Sequence, residues 1–355
     1  MKNFLRKPLA VLAHVFGLWH LFYRLVRPLS GHRLLVVFTY HRVIDGSRPA
    51  RHYMFYEKGL DAAVFARHIR FIKKYYRLAD LNEFTAIVTG EKPLHRHTAL
   101  ITFDDADSEY MEHVLPVVRA QACPVTLFVP TGFVETGRKF WHVRVSDIMR
   151  NVTPESWGRL QAYSARLPED VAEPMATPFP NGEEQKAAVS RLLNARLDRL
   201  DHRRIDEIIA AWEAIVERHD TLDVHCLNWS QLKYLADHNT SLQSHTVTHR
   251  KLAGLPAEEI EAELAASRTH LEQRLGQAVT AISYPQGSVS DAVVALAQKT
   301  GYTLGFTTRP GVCPCPAAAA DLFYLPRHGL EAGSDVEINL SLGMLALGAI
   351  FAGRS

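Results

Sequence analysis

Short apolar runs alternate with amphipathic helical segments, and this alternation constrains the fold of the chain more than any other feature. Residues 33–43 form a β-branched, apolar run bounded by turn residues, which is typical of a strand buried on both faces. Residues 61–75 then carry apolar side chains at helical spacing. Strands and helices that follow each other in this order favour parallel strands with helices packed outside them.

The same alternation continues on both sides of a central segment. Further strands are predicted at residues 98–105, 124–131, 240–249, 279–287, 303–311 and 322–330, and further helices at residues 109–121, 228–238, 256–276 and 291–301. About seven strands that alternate with helices predict an α/β protein with a deformed parallel (β/α)7-type barrel. An open, doubly wound sheet is the alternative, although the sequence contains no glycine-rich phosphate loop.

Residues 135–225 break the alternation. They contain a proline-rich stretch followed by a long charged helical run, and no strand-like run. We therefore predict a mostly helical insertion at residues 135–225, within a barrel formed by residues 31–134 and 226–335. Insertions of this kind are tolerated at loops and often shape a substrate cleft.

Both ends of the chain are apolar. Residues 1–30 place large apolar side chains on one half of a helix and arginine, lysine and histidine on the other, which is typical of a helix lying in a membrane interface. A helix docked on the protein itself and a signal or anchor segment are the alternatives. Residues 336–355 predict an apolar C-terminal helix that docks on the protein or dips into lipid. We expect a peripheral membrane location in a bacterial-type cell, favouring the cytoplasmic side, with a periplasmic or secreted location as the alternative.

Charge and cysteine content exclude several classes of protein. The formal net charge is only +2, and no long basic block is present, so nucleic acid is not an expected partner. The four cysteines form no C-x-x-C pair, which argues against a zinc knuckle or a thioredoxin-type site. The sequence predicts no particular oligomeric state.

Polar side chains cluster at the ends of four predicted strands. These residues are Asp104 and Asp105, His245 and His249, Gln286, and Arg327 and His328. Because the carboxyl ends of parallel strands share one face of a barrel, we expect the four clusters to converge. Two adjacent carboxylates at a buried strand end are costly unless each has a partner or a metal. The alternative for this pair is a turn in which an aspartate caps a helix.

The two histidines lie four residues apart. In a helical turn both imidazoles would share a face and could bind one metal ion. With one carboxylate they would form a facial triad that leaves positions open for water and substrate. A single H-x-x-x-H motif is more often a coincidence, but the acidic pair at a comparable strand end strengthens the prediction of a metal site.

Four motifs carry a family resemblance. TFDDAD, SHTVTH, YPQG and LPRH, in this order, resemble the signature motifs of the polysaccharide deacetylase family, also known as the NodB-homology domain or carbohydrate esterase family four. The resemblance covers roughly residues 33–134 and 226–330. It implies a metal-dependent hydrolase that removes N-acetyl groups from an N-acetylhexosamine-containing polysaccharide, oligosaccharide or lipid-linked glycan and releases acetate.

The resemblance also implies roles for individual residues. Asp105, His245 and His249 would bind a divalent metal ion, most often Zn²⁺. Asp104 would be the general base, and the backbone N–H of Gln286 would stabilise the oxyanion. His328 would protonate the departing amine.

Several positions depart from the family pattern, among them Gln286, where tyrosine is common, and the LPRH motif, which is L-x-H in many members. Ala106 stands where glycine is usual, and Ser283 stands where many members carry an arginine that orients the base. Arg327 could supply the missing cation from another strand. Two alternative functions follow: another C–N or ester hydrolase on the same scaffold, or a non-catalytic glycan-binding or assembly protein with a degenerate site.

Overall fold

The computed structural model describes residues 33–47, 59–217, 221–238 and 240–330. The predictions for residues 1–30 and 336–355 lie outside these ranges. The described residues divide into two compact units. The first contains residues 33–45, 60–135 and 227–330, and Thr136–Cys226 forms most of the second. Among the described residues, no helix has both the length and the apolar character needed to cross a membrane.

The strands all belong to the first unit. In chain order they are β1 Leu35–Tyr40, β2 Val43–Ile44, β3 Leu60–Asp61, β4 Arg77–Ala79, β5 Thr98–Phe103, β6 Val125–Val129, β7 Thr240–Ser244, β8 Ala281–Ser283, β9 Leu304–Phe306 and β10 His328–Gly329. Strands β2 and β3 form a separate parallel pair.

Helices follow most of these strands. In chain order they are α1 Ala62–Tyr75, α2 Leu81–Val88, α3 Leu115–Ala120, α4 Thr131–Thr136, α5 Trp141–Asn151, α6 Pro154–Ser164, α7 Glu169–Ala172, α8 Glu183–Leu197, α9 His202–Val216, α10 Trp229–Ala236, α11 Ala257–Leu275 and α12 Asp291–Lys299. Helices α5 to α9 lie in the second unit and the others in the first.

The main sheet is parallel and curled. Its strands lie in the order β10-β1-β5-β6-β7-β8-β9, and β4 also pairs with β5. The last segment reaches both edges, because Leu325 bridges Phe306 of β9 and His328 pairs with Phe38 of β1. This arrangement confirms the predicted deformed parallel barrel, and the open doubly wound alternative is excluded.

Alternate residues of the strands fill the core of the barrel. Leu35, Val37, Leu100 and Phe306 are all fully buried there and pack with the buried face of helix α2. Strand β5 is buried at every position, as its unbroken apolar sequence predicts. The strands β5, β6, β7 and β8 are neighbours, so the polar residues that follow them open onto one edge of the sheet.

Local sequence signals define the helices that surround the site. Asp61 caps α1 by accepting hydrogen bonds from the backbone N–H groups of Ala63 and Val64. Helix α11 ends at Gly276, which has the left-handed φ of +65° that glycine adopts without strain. A wider helical turn, Tyr110–Val114, precedes α3, whose second residue is Pro116.

The second unit has its own hydrophobic core. Helices α5 to α9 pack around Trp157 and Trp212, and no strand occurs among residues 136–217. The carboxylate of Asp147, which is 2% exposed, accepts hydrogen bonds from the backbone N–H and the hydroxyl of Thr221. These bonds fix the segment at which the chain leaves the last helix of the unit.

Candidate active site

Asp105, His245 and His249 come together at the carboxyl edge of the sheet. Asp105 Oδ1 lies 3.5 Å from Nε2 of His245 and 3.3 Å from Nε2 of His249. One ligand atom from each of the three residues lies within 4.8 Å of the other two. Zinc–ligand bonds of about 2.0–2.2 Å would fit within such a triangle. The three side chains can therefore hold a metal ion and leave further coordination positions open.

The protonation of His245 suits a metal ligand. Its Nδ1 lies 2.7 Å from the backbone carbonyl oxygen of Ser283, and this carbonyl can only accept a hydrogen bond. With Nδ1 donating its proton to this carbonyl, Nε2 would keep its lone pair for a metal ion. Burial alone would raise the pKa of Asp105, but the two histidines outweigh it and hold the pKa well below its usual range. An ionised carboxylate and a correctly oriented imidazole fit a divalent ion such as zinc.

Left-handed backbone conformations bring the ligands into place. Asp105 and Ala106 have φ of +70° and +51°, and Thr246 and His249 have φ of +66° and +57°. Non-glycine residues in this region are strained, and such strain collects at functional sites. Ala106 thus adopts the sharp turn for which the family uses glycine, and its carbonyl accepts a hydrogen bond of 2.7 Å from the N–H of Leu227.

Arg42, which lies between β1 and β2, holds the turn after β5. Its guanidinium is buried, with Nε 2.9 Å from Asp107 Oδ2 and one terminal nitrogen 2.6 Å from Glu109 Oε2. A planar guanidinium that binds two carboxylates fixes both in orientation. Arg42 therefore stabilises the turn that follows Asp104 and Asp105.

Asp104 is bound by Arg327. It is 3% exposed, and its two oxygens each accept a hydrogen bond of 2.7 Å from the guanidinium. The hydroxyl of Ser283 donates a third bond of 3.2 Å, and Nε2 of His41 lies 3.9 Å away. Burial would raise the pKa of Asp104, but Arg327 and His245 outweigh it and lower the pKa to about 2.

Arg327 is itself rigidly held. Its side chain is buried, its Nε donates to the backbone carbonyl of Thr307 at 3.0 Å, and its guanidinium lies over the ring of Phe128. Ser283, in the position where the family usually has arginine, is too short to fill this role and adds only its hydroxyl. The cation beside Asp104 thus comes from Arg327, directly before the last strand, where the sequence predicted a substitute.

His328 is the first residue of β10 and directly follows Arg327. The ring of His328 packs edge-to-face on Phe38 at 6.3 Å, and Phe38 packs in turn on Tyr76. Burial lowers the pKa of His328, which favours the neutral imidazole. Its role as proton donor remains a prediction.

Gln286 lies in a tight turn directly after β8. It has a left-handed φ of +54°, and the turn is closed by a hydrogen bond of 2.8 Å from the N–H of Gly287 to the carbonyl of Tyr284. Gly287 is required there, since a Cβ atom would lie 2.3 Å from the hydroxyl of Thr308. The Gln286 side chain is exposed, so only its backbone N–H could act in the predicted way. That role also remains a prediction.

Sequence reasoning missed one residue next to the candidate metal site. Glu263 of α11 is only 7% exposed and accepts hydrogen bonds from the backbone between His245 and His249. Its position gives a signal, because it lies on the buried helix face that also carries Ile260 and Ser267, three residues before it and four after it. A carboxylate on a buried stripe needs a specific partner.

Fold and site together define a parallel β/α barrel with a two-histidine, one-carboxylate centre and a second, arginine-bound carboxylate. Residues 179–305 match the family model described as polysaccharide deacetylase. This match includes His245, His249 and Gln286 and ends before Arg327. A curated relative, the putative polysaccharide deacetylase YxkH of Bacillus subtilis (strain 168), is 39% identical over 87 residues. That alignment covers 24% of this chain and 31% of the relative, so the chain spans less than a third of the protein it matches.

Solved structures agree on the fold. The deacetylase PplD of Streptococcus pyogenes, in complex with acetate, matches 88% of this chain and 97% of its own with a TM-score of 0.56 and 18% identity. IcaB from Ammonifex degensii matches 87% of this chain and 96% of its own with a TM-score of 0.55 and 18% identity. The resemblance predicted from the four motifs is thereby confirmed, and the fold of the barrel is that of these solved deacetylases.

Proposed function

We propose that this protein is a zinc-dependent hydrolase that removes N-acetyl groups from an N-acetylhexosamine-containing glycan and releases acetate. The proposal rests on the different partners of two adjacent carboxylates. Asp105 lies 3.3 to 3.5 Å from two imidazole nitrogens, whereas Asp104 is bound by Arg327 and Ser283. This arrangement provides one carboxylate for a metal ion and one for a water molecule.

A zinc ion held by Asp105, His245 and His249 would polarise the acetamide carbonyl and lower the pKa of a water molecule. Asp104 would accept a proton from that water molecule while the water oxygen bonds to the carbonyl carbon. The low pKa of Asp104 keeps it ionised at neutral pH. Each carboxylate oxygen has two lone pairs, so both can accept from Arg327 and one can still accept from water.

Breaking of the C–N bond requires a proton for the departing amine. The family resemblance assigns this proton to His328. The geometry favours His41, because its Nε2 lies 3.9 Å from Asp104 and its side chain is 44% exposed at the site. The oxyanion would accept a hydrogen bond from the backbone N–H of Gln286.

The alternative hypothesis, a non-catalytic glycan-binding protein, depends on Ala106 and Ser283. Ala106 adopts the left-handed turn at φ +51°, and Arg327 supplies the cation that Ser283 lacks. Both departures are therefore compensated within the barrel, which supports an active enzyme.

Acetate release distinguishes these functions. Purified protein reconstituted with zinc is incubated with N-acetylglucosamine oligosaccharides, with O-acetyl esters and with small amides. We expect release from the oligosaccharides that is lost in Asp104→Asn. Release from O-acetyl esters alone would favour another hydrolase, and bound zinc without release from any acetylated glycan would favour the non-catalytic function.

The apolar, basic pattern of residues 1–30 supports a further proposal, peripheral contact with a membrane on its cytoplasmic side, where a lipid-linked glycan would be the substrate. Partition between buffer and vesicles containing anionic lipid tests it. We expect the full chain to bind and a chain without residues 1–30 to stay in the buffer. Equal partition of the two would contradict the proposal.

A further inference from the structure

The four residues that follow His245 form a strained loop that carries His249. Thr246 and His249 both have left-handed φ, and the N–H of His249 donates to the hydroxyl of Thr246 at 3.0 Å. The β7 strand ends at Ser244, so its ladder does not extend to Val247 and Thr248. Their backbone N–H groups are therefore bound by partners outside the sheet.

Glu263 supplies these partners from helix α11. Its Oε2 accepts hydrogen bonds from the N–H groups of Val247 at 2.8 Å and Thr248 at 2.9 Å. Its Oε1 accepts from the hydroxyl of Thr248. A single buried side chain thus binds three donors of the loop at once.

The opposite side of the loop is held by the start of helix α4. The N–H groups of Thr131 and Gly132 donate to the carbonyls of Thr246 and Val247, at 3.1 Å and 2.9 Å. Gly132 leaves no spare room, because a Cβ atom there would lie 2.7 Å from the carbonyl oxygen of Val247. The loop is therefore clamped between two elements.

We propose that Glu263 is a positioning residue that fixes this loop so that His249 faces Asp105. The proposal rests on the proposed metal site, but it concerns the backbone and not the chemistry. Loss of such outer partners typically weakens metal binding by about 10- to 100-fold. The carboxylate acts through its acceptor geometry, so an amide of the same length preserves most of the effect.

Three variants test the proposal. Glu263→Met keeps the length and removes every acceptor. Glu263→Gln keeps one oxygen for the two N–H groups, and its NH₂ can donate to the Thr248 hydroxyl, which can reverse its role. Glu258→Gln is the matched control, since Glu258 lies exposed in the first turn of the same helix.

Two readouts are measured on the full chain. Hydrogen exchange of the metal-free protein reports on the amides of Val247 and Thr248, and competition with a chelating dye gives the Zn²⁺ affinity. We expect Glu263→Met to speed the exchange of both amides and to weaken Zn²⁺ binding about 10- to 100-fold, with Glu263→Gln within about 3-fold of the wild type. The control should match the wild type in both.

Unchanged exchange and affinity in Glu263→Met would overturn the proposal. Equal losses in Glu263→Gln and Glu263→Met would also overturn it, because charge and not geometry would then be responsible. If Glu263→Met fails to fold, Gly132→Ala perturbs the same loop from the other side and should give the same two changes. Failure of the wild type to bind Zn²⁺ would contradict the proposed function, and the amide exchange then decides the role of Glu263 by itself.

Discussion

Arg327, directly before β10, donates to both oxygens of Asp104 at 2.7 Å, although the two residues lie 223 positions apart in the sequence. Both side chains are almost completely buried, at 2% and 3% exposure. A bidentate pair in such a place fixes orientation as well as charge. Arg327 thereby supplies the positive charge that Ser283, at the end of β8, does not provide.

Arg327→Ala should reduce kcat/KM by about 10²- to 10⁴-fold, the contribution typical of a positioned general base. Without the guanidinium, burial raises the pKa of Asp104, so the acidic limb of the pH–rate profile should move to higher pH. Arg309→Ala, at an exposed arginine nearby, is the control and should keep the wild-type profile. An Arg327→Ala enzyme with unchanged turnover would show that Asp104 needs no cation.

The same pair should contribute to stability in a pH-dependent way. The pKa of Asp104 is lower in the folded state, so its stabilisation is present above the unfolded value of about 3.9 and is lost as the pH falls towards about 2. Asp104→Asn leaves a buried guanidinium with a weaker partner and should reduce the free energy of unfolding by about 3–5 kcal/mol at pH 7. Urea unfolding should show a difference that is constant from about pH 7 to 5 and shrinks below about pH 4. A difference that grows on acidification would contradict the assignment.

His41→Ala should lower kcat more than His328→Ala does. The reason is geometric: His41 Nε2 lies 3.9 Å from Asp104, while the ring of His328 packs on Phe38. Loss of a general acid should cost about 10²- to 10⁴-fold and remove the alkaline limb of the pH–rate profile. A larger loss of kcat in His328→Ala than in His41→Ala would assign the proton transfer to His328.

Gly287→Ala should damage the turn that carries Gln286. Alanine there meets both a left-handed φ of +68° and a hydroxyl at 2.3 Å. Gly276→Ala is the matched control, because Gly276 has φ +65° with no atom within 4 Å of the added Cβ. We expect the control to lose about 1 kcal/mol of stability and keep its turnover, and Gly287→Ala to lose more of both. Thermal unfolding and acetate release measure the two effects, and equal losses in the two variants would argue against a specific role for the 285–287 turn.

Sequence reasoning succeeded where a single strand end carries the information. The unbroken apolar run before Asp104 identifies a buried strand, and the parallel order of strands brings Asp105 near His245 and His249. Those predictions need only the spacing of apolar residues and the rule that parallel strands share a carboxyl edge.

Contacts between side chains on distant elements of the barrel could not be predicted in the same way. Strand β10 has only two residues, so its sequence does not tell which of Arg327 and His328 faces Asp104. The left-handed φ of Asp105 and His249 could not be predicted, since Asp and His adopt this region more often than most residues but still only in a minority of positions. Glu263 was missed because its helix contains several glutamates, and the sequence does not show which of them is buried.

Anomalous diffraction from crystals grown with Zn²⁺ tests the central claim most directly. The account predicts one peak within about 2.0–2.2 Å of Asp105, of Nε2 of His245 and of a ring nitrogen of His249. It also predicts that Asp104 remains bound to Arg327 and does not coordinate the ion. Zinc bound by Asp104, or an enzyme that releases acetate with no ion between these three residues, would contradict it.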